Sequence, residues 1–118
     1  GTGVHALMGT GGAPEGVLTA AAMRCLNGEI FARLVIQKPE DEERCRAMGI
    51  TDFKKIYRST VLSCGHDIVF AATGVTDGNL LAGVKFNRDS VQTHTIVMRS
   101  SSKTVCEIKA RHQDLEKF

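Results

Sequence analysis

Residues 9–16, Gly-Thr-Gly-Gly-Ala-Pro-Glu-Gly, combine a glycine loop with the start of a helix that carries a carboxylate. Pro14 suits the first helical position, because its missing N–H leaves no hydrogen bond unmade there. Glu15 then lies in the first turn, beside unpaired backbone N–H groups and the positive end of the helix dipole. Those N–H groups can hold a phosphate, and Glu15 can hold a hard divalent cation, which prefers carboxylate oxygens. The segment therefore predicts a site where phosphate and metal meet, as in a phosphatase or a phosphoryl-transfer enzyme.

The two common nucleotide-binding motifs do not fit this segment. A P-loop needs a lysine that residues 9–16 lack, and a Gly-x-Gly-x-x-Gly fingerprint fails because Pro14 occupies its third glycine position. The simpler alternative is a tight turn into a helix, with Glu15 serving only the helix dipole. Gly16 favours a site, because a glycine inside a helix costs about 1 kcal/mol relative to alanine. Close approach of a ligand is one reason to keep such a glycine.

Four stretches of the chain, in the same order, resemble the C-terminal part of bacterial class II fructose-1,6-bisphosphatases. They are residues 11–17, 43–50, 69–78 and 97–100, so the resemblance covers nearly all of the sequence. These enzymes are similar to the inositol-phosphatase-like, metal-dependent and lithium-sensitive sugar phosphatases. Several linked motifs match by chance much less often than a single motif does.

The resemblance implies an enzyme of carbohydrate metabolism and gluconeogenesis. Its reaction is hydrolysis of the 1-phosphate of fructose 1,6-bisphosphate to fructose 6-phosphate and phosphate, with Mn²⁺ or Mg²⁺. It assigns Glu15 as a metal ligand and Gly12 as a substrate contact, and it gives this chain no other catalytic residue. Sedoheptulose bisphosphate is a second substrate that the resemblance allows.

Family members are much longer than this chain, and their other metal and sugar-phosphate ligands lie upstream of the 11–17 motif. We therefore expect residues 1–118 to be one domain, the C-terminal fragment of a longer enzyme that is inactive alone. The active site would lie in a cleft against the missing N-terminal half, and the full-length parent would be a homo-oligomer. The rival hypothesis is a non-catalytic α/β module that binds a phosphorylated metabolite or mediates assembly.

The composition of the chain argues against nucleic-acid and membrane partners and favours a cytoplasmic location. The 15 basic and 13 acidic residues are well mixed, and the net charge is only +2, so no basic surface for nucleic acid is predicted. No apolar run is long enough for a membrane helix, and no secretory leader is visible, so we expect a cytoplasmic protein. The four cysteines lack a Cys-x-x-Cys pair, which argues against structural zinc. Cys25 and Cys106 are predicted to be buried apolar residues.

The apolar pattern predicts a three-layer α/β domain with a mixed sheet of about five strands flanked by helices. Helices are predicted at 15–26, ending at Asn27-Gly28, and from Pro39 to Gly49. The helix at 15–26 is expected to be buried on most sides, and the strand at 30–36 to be central. Residues 111–118 are read as a polar tail. Strands are predicted at 4–8, 30–36, 56–62 and 67–73, with a hairpin of 93–99 and 104–110.

Residues 73–78, Thr-Gly-Val-Thr-Asp-Gly, follow the predicted strand at 67–73. Thr73, Thr76 and Asp77 could line a second pocket at the carboxyl end of that strand. The alternative that we favour is an Asp-Gly turn that leads to a contact of Leu80 and Leu81.

Overall fold

The computed structural model describes residues 3–113 as three helices and six strands. The helices are α1 (Ala13–Cys25), α2 (Pro39–Ala47) and α3 (Ser59–Leu62). The strands are β1 (Phe31–Ala32), β2 (Tyr57–Arg58), β3 (Val69–Thr73), β4 (Lys85–Phe86), β5 (Val91–Arg99) and β6 (Thr104–His112). The predicted α/β class is confirmed. Within residues 3–113, no helix is long and apolar enough to cross a membrane.

The main sheet has four strands and is centred on β5. Strand β6 pairs along the whole of one edge of β5, whereas β3 and β4 share the other edge. Strands β1 and β2 form a separate two-stranded sheet, and every pair in both sheets is antiparallel. The prediction of one mixed sheet of about five strands is therefore wrong in this detail. The reason is that only two residues of the predicted strand at 30–36 find a partner strand, and their partner is β2 rather than the main sheet.

Both long helices end as their sequences predict. After α1, Asn27 takes a left-handed conformation (φ 59°), and the Gly28 N–H donates to the Met23 carbonyl at 2.8 Å. After α2, Gly49 has φ 81°, and the Ile50 N–H donates to a carbonyl of the last turn at 2.9 Å. Helix α2 starts at Pro39 as predicted, whereas α1 starts at Ala13, two residues before the predicted start, so that Pro14 is its second residue rather than its first.

Three short predicted strands are corrected. Residues 4–8 are not in a sheet, residues 30–36 form only the two-residue β1, and residues 56–62 contain β2 followed directly by α3. An apolar run becomes a strand only where a neighbour can satisfy its backbone groups, and these segments have little such pairing. By contrast, the predicted strand at 67–73 and the hairpin of 93–99 and 104–110 are confirmed by β3, β5 and β6. Of the predicted tail, residues 111 and 112 extend β6, and residues 114–118 lie outside the described part of the chain.

The core is small and lies between the last turn of α1 and the main sheet. Cys25, Ile96 and Met98 are its buried members. The N-terminal half of α1 is largely exposed, with Leu18 59% exposed, so its predicted burial on most sides is wrong for the described residues. The prediction for Cys25 is confirmed, but that for Cys106 is wrong, because no described residue covers the face of the edge strand β6 to which Cys106 points.

One carboxylate ties the two-stranded sheet to α3. Glu29 accepts hydrogen bonds from the N–H of Ser59 at 2.9 Å and from its hydroxyl, and its second oxygen accepts from Arg58 Nη2 at 2.7 Å. These bonds, above all that of the Ser59 hydroxyl, lower the pKa of Glu29 to about 2.

A second carboxylate locks the end of the main sheet where β5 turns into β6. Asp67 accepts a hydrogen bond from Arg99 Nε at 2.7 Å and from the Ser101 N–H at 3.3 Å. The Arg99 bond, followed by Ser101, lowers the pKa of Asp67 to about 2. Beside it, the Ser100 hydroxyl accepts from the Ile68 N–H at 2.8 Å, and the Ser100 N–H donates to the Ile68 carbonyl at 2.9 Å.

Candidate functional site

The structure places Gly12 and Glu15 together at the start of α1. Gly12 is the N-cap, with extended backbone (φ −69°, ψ 157°), and its carbonyl accepts the first helical hydrogen bond from the Gly16 N–H at 3.1 Å. Glu15 is the third helical residue, and its side chain folds back over Gly12. A methyl group added at Gly12 would overlap Glu15 Oε2 and would lie 3.3 Å from Glu15 Cδ. The two residues assigned separately by resemblance are therefore direct neighbours.

The Glu15 carboxylate is exposed, and within residues 3–113 it has no hydrogen-bond or ion-pair partner. Its side chain is therefore not used to hold the fold. Beside it, the N–H groups of Ala13 and Glu15 precede the first helical hydrogen bond, so both lack a partner inside the helix. Pro14 supplies no N–H, which reduces the anion-binding capacity of this helix start.

A divalent cation fits the chemistry of Glu15, because an unpaired carboxylate is a hard oxygen donor. No group of three or more His, Cys, Asp or Glu side chains suited to a metal occurs in the described residues. One carboxylate supplies only a fraction of the ligands that Mn²⁺ or Mg²⁺ requires. A metal centre at Glu15 therefore needs ligands from outside residues 3–113.

The segment after β3 is built as a structural turn. Asp77 Oδ1 accepts a hydrogen bond from the Gly83 N–H at 2.8 Å, and the Thr73 hydroxyl bonds to the Thr95 hydroxyl at 2.8 Å. Gly74 is buried, and a Cβ there would overlap the carbonyl oxygen of Ala82. These contacts agree with the turn interpretation of residues 73–78 rather than with a second pocket.

The motif at 97–100 is also structural. Its Arg99 pairs with Asp67, and its Ser100 is buried against the start of β3. Of the segments that carry the resemblance, the first alone places an unpaired carboxylate beside a helix start.

A basic cavity that was not predicted from the sequence lies at the other end of the main sheet. It has a volume of about 420 Å³, and it lies where β4, β5 and β6 meet. Its charged, amide and imidazole lining residues are Lys85, Gln92, His94, Lys109 and Arg111, and Thr93 is its remaining polar lining residue. The available signal was the alternation of these residues along the strands, since residues two apart in a strand share a face.

Comparison with known proteins agrees with the motif analysis. Residues 1–112 match the family model described as bacterial fructose-1,6-bisphosphatase, glpX-encoded. Two curated relatives carry the name D-fructose 1,6-bisphosphatase class 2/sedoheptulose 1,7-bisphosphatase. The protein from Prochlorococcus marinus (strain MIT 9301) is 44% identical over 117 residues, which cover 88% of this chain and 35% of that relative. The protein from Gloeobacter violaceus is 40% identical over 124 residues, which cover 95% of this chain and 36% of that relative.

The chain thus spans about a third of the length of these curated relatives. The family match extends over nearly the whole sequence, including the 11–17 motif and the turn after β3. This chain belongs to the glpX-encoded bacterial fructose-1,6-bisphosphatase family.

Proposed function

We propose that this chain is the C-terminal part of a metal-dependent phosphatase that hydrolyses the 1-phosphate of fructose 1,6-bisphosphate. Family membership and the names of the curated relatives support this activity. Those names also support sedoheptulose 1,7-bisphosphate as a second substrate. The observation that carries the site is the unpaired Glu15 carboxylate folded over Gly12 at the start of α1.

In this proposal Glu15 supplies one oxygen ligand to Mn²⁺ or Mg²⁺, and residues outside this chain supply the others. The bound metal would activate water for attack on the phosphorus and neutralise the departing alkoxide. Gly12 lets the substrate approach the backbone, since it carries no side chain. The N–H groups of Ala13 and Glu15 contribute partial positive charge beside the phosphate.

A substitution pair tests the role of Glu15 in the full-length protein. Glu15→Gln removes the charge but keeps the shape, and we expect turnover of fructose 1,6-bisphosphate to fall about 10²–10³-fold, as when one electrostatic stabiliser is deleted. Part of the rate should return at high Mn²⁺. Glu40→Gln is the matched control, because Glu40 is another exposed carboxylate in the first turn of a helix.

Both substitutions should cost a similar amount of stability, about 0.3–1 kcal/mol from the helix dipole. If Glu15→Gln leaves turnover and Mn²⁺ dependence at the level of Glu40→Gln, Glu15 serves only the helix, and the proposed site is wrong. Full-length protein that neither hydrolyses the substrate nor binds Mn²⁺ would favour the alternative of a non-catalytic module.

Several finer properties stay predictions. They are a role in gluconeogenesis, a cytoplasmic location, a homo-oligomeric full-length protein and the lack of nucleic-acid and membrane partners. A single-domain organisation of residues 1–118 is likewise a prediction.

A further inference from the structure

We propose that the basic cavity at the junction of β4, β5 and β6 binds the phosphate group of a small metabolite. Its volume of about 420 Å³ lies within the range of small-molecule pockets, about 300–1,000 Å³. None of its lining residues belongs to α1 or to the loop before α1. The cavity therefore uses a different set of residues from the one proposed around Gly12 and Glu15.

Strand register brings five of the cavity's polar residues, Lys85, Gln92, His94, Lys109 and Arg111, to one face of the sheet. Gln92 of β5 pairs with Lys85 of β4 on one side and with Arg111 of β6 on the other. His94, two residues further along β5, pairs with Lys109. Paired residues point to the same face, as do residues two apart in a strand, so all five share that face. Since neighbouring strands lie about 4.8 Å apart, Lys85 and Arg111 flank Gln92 at a Cα separation of about 10 Å.

The cations of this cavity form no ion pair with any residue that the structure describes. Lys85, Lys109 and Arg111 have no ion-pair partner in the described part of the chain, whereas four arginines elsewhere each pair with a carboxylate. The Glu107 carboxylate, which is 62% exposed, lies 3.9 Å from His94 Nε2, beyond hydrogen-bond distance. Three cations that form no ion pair among the described residues attract anions, and Lys and Arg side chains are strong donors to phosphate oxygens.

His94 adds a second, independent observation. Its Nδ1 accepts a hydrogen bond from the Ala82 N–H at 3.0 Å, which places the ring proton on Nε2. Nε2 is buried and has no hydrogen-bond partner among residues 3–113. A buried donor without a partner is costly, and an oxygen acceptor held in the cavity would remove that cost. The same bond also anchors the loop that supplies the backbone wall of the cavity at Ala82 and Gly83.

A phosphate group suits this lining better than a carboxylate does. Its oxygens point in several directions, and each accepts charge-assisted hydrogen bonds, so one phosphate can be shared by two lysines, an arginine and the Gln92 amide. Inorganic phosphate and a sugar monophosphate carry the same chemistry. The volume of the cavity has room for either.

Lysine acetylation in the full-length protein tests this proposal at single residues. The protein is treated with N-hydroxysuccinimidyl acetate, and mass spectrometry gives the acetylation rate of each lysine. The rates are compared in three solutions of equal ionic strength, which contain inorganic phosphate, fructose 6-phosphate or chloride. At a phosphate concentration of about twice the dissociation constant, Lys85 and Lys109 should react about threefold more slowly, by mass action. Lys54, an exposed lysine outside the cavity, is the internal control and should keep its rate.

A variant pair locates the anion. Arg111→Met should raise the half-protecting phosphate concentration about tenfold, which corresponds to about 1.4 kcal/mol, the scale of one charge-assisted hydrogen bond. Arg88→Met, at an exposed arginine outside the cavity, should leave that concentration unchanged. Stronger protection by fructose 6-phosphate than by phosphate would identify a sugar phosphate as the ligand, and equal protection would identify inorganic phosphate.

Three results would overturn the proposal. The first is that phosphate slows the acetylation of Lys85, Lys109 and Lys54 equally, and the second is that chloride protects Lys85 and Lys109 as well as phosphate does. The third is that Lys85 and Lys109 do not react even before phosphate is added, because another part of the protein fills the cavity. The assay needs no turnover, so it gives the same answer in the Glu15→Gln background. Failure here is thereby distinguishable from failure of the proposed phosphatase site.

Discussion

Gly12→Ala should damage the proposed metal site through Glu15 rather than through the fold. The added methyl group would overlap Glu15 Oε2, so the carboxylate must swing away from its position over the N-cap. Glu15 is exposed and flexible at its end, so this movement itself costs little. The backbone at Gly12 (φ −69°, ψ 157°) is open to alanine, so the loss of stability should be about 0.5–1 kcal/mol, the N-cap preference for glycine over alanine.

The loss of Mn²⁺ affinity should be much larger than the loss of folding stability. Displacing a ligand by changing its neighbour typically costs about 10–100-fold in metal affinity or activity. We therefore expect Gly12→Ala in the full-length protein to raise the Mn²⁺ concentration for half-maximal turnover by about that factor. Urea denaturation of the same variant should show nearly wild-type stability.

Gly11→Ala is the matched control, because a Cβ at Gly11 meets no atom within 4 Å. It should leave both Mn²⁺ dependence and stability near wild type. A second control is the double variant Gly12→Ala/Glu15→Gln, in which the methyl group should add little to the loss from Glu15→Gln alone. If Gly12→Ala and Gly11→Ala have the same Mn²⁺ dependence, the contact between Gly12 and Glu15 does not affect metal binding, and the prediction is wrong.

Three further predictions concern stability and activity. Gly83→Ala should destabilise the chain by about 1–3 kcal/mol in urea denaturation, as overpacking does, because the new Cβ would lie 2.7 Å from the backbone N of Asp77. Gly78→Ala should cost less stability, because its Cβ would lie 3.7 Å from the nearest atom, and equal losses would contradict the close contact between Gly83 and Asp77. Glu29 and Asp67 have pKa values of about 2 in the folded chain, below their ordinary values of 4.5 and 3.8, so the stability that they contribute is present above pH 4.5 and 3.8 and is lost as pH falls towards 2. In Glu29→Gln, the urea midpoint should therefore depend less on pH between about pH 5 and 2 than it does in the wild type, and an unchanged pH profile would contradict this. The 118-residue chain alone should release no phosphate from fructose 1,6-bisphosphate with Mn²⁺, because its described residues hold no cluster of metal ligands; release proportional to the amount of pure chain would contradict this.

Local sequence determined the elements whose signals are short-range. The ends of α1 and α2 follow from Pro, Asn and Gly at fixed positions, because these residues act through their own φ angles and hydrogen-bond capacity. The strand β3 and the hairpin of β5 and β6 follow from β-branched residues and a short turn. Position in the sequence also placed Glu15 in a first helical turn, where the structure has it.

Tertiary structure alone decided what depends on distant partners. The apolar run at 30–36 reads like a central strand, yet it pairs over two residues, because pairing depends on a neighbour that no local pattern specifies. The fold of Glu15 over Gly12 was not visible from sequence, since a side-chain rotamer is set by its surroundings. The basic cavity likewise gathers residues from three strands, and only the register of β4, β5 and β6 brings their separate charges to one face.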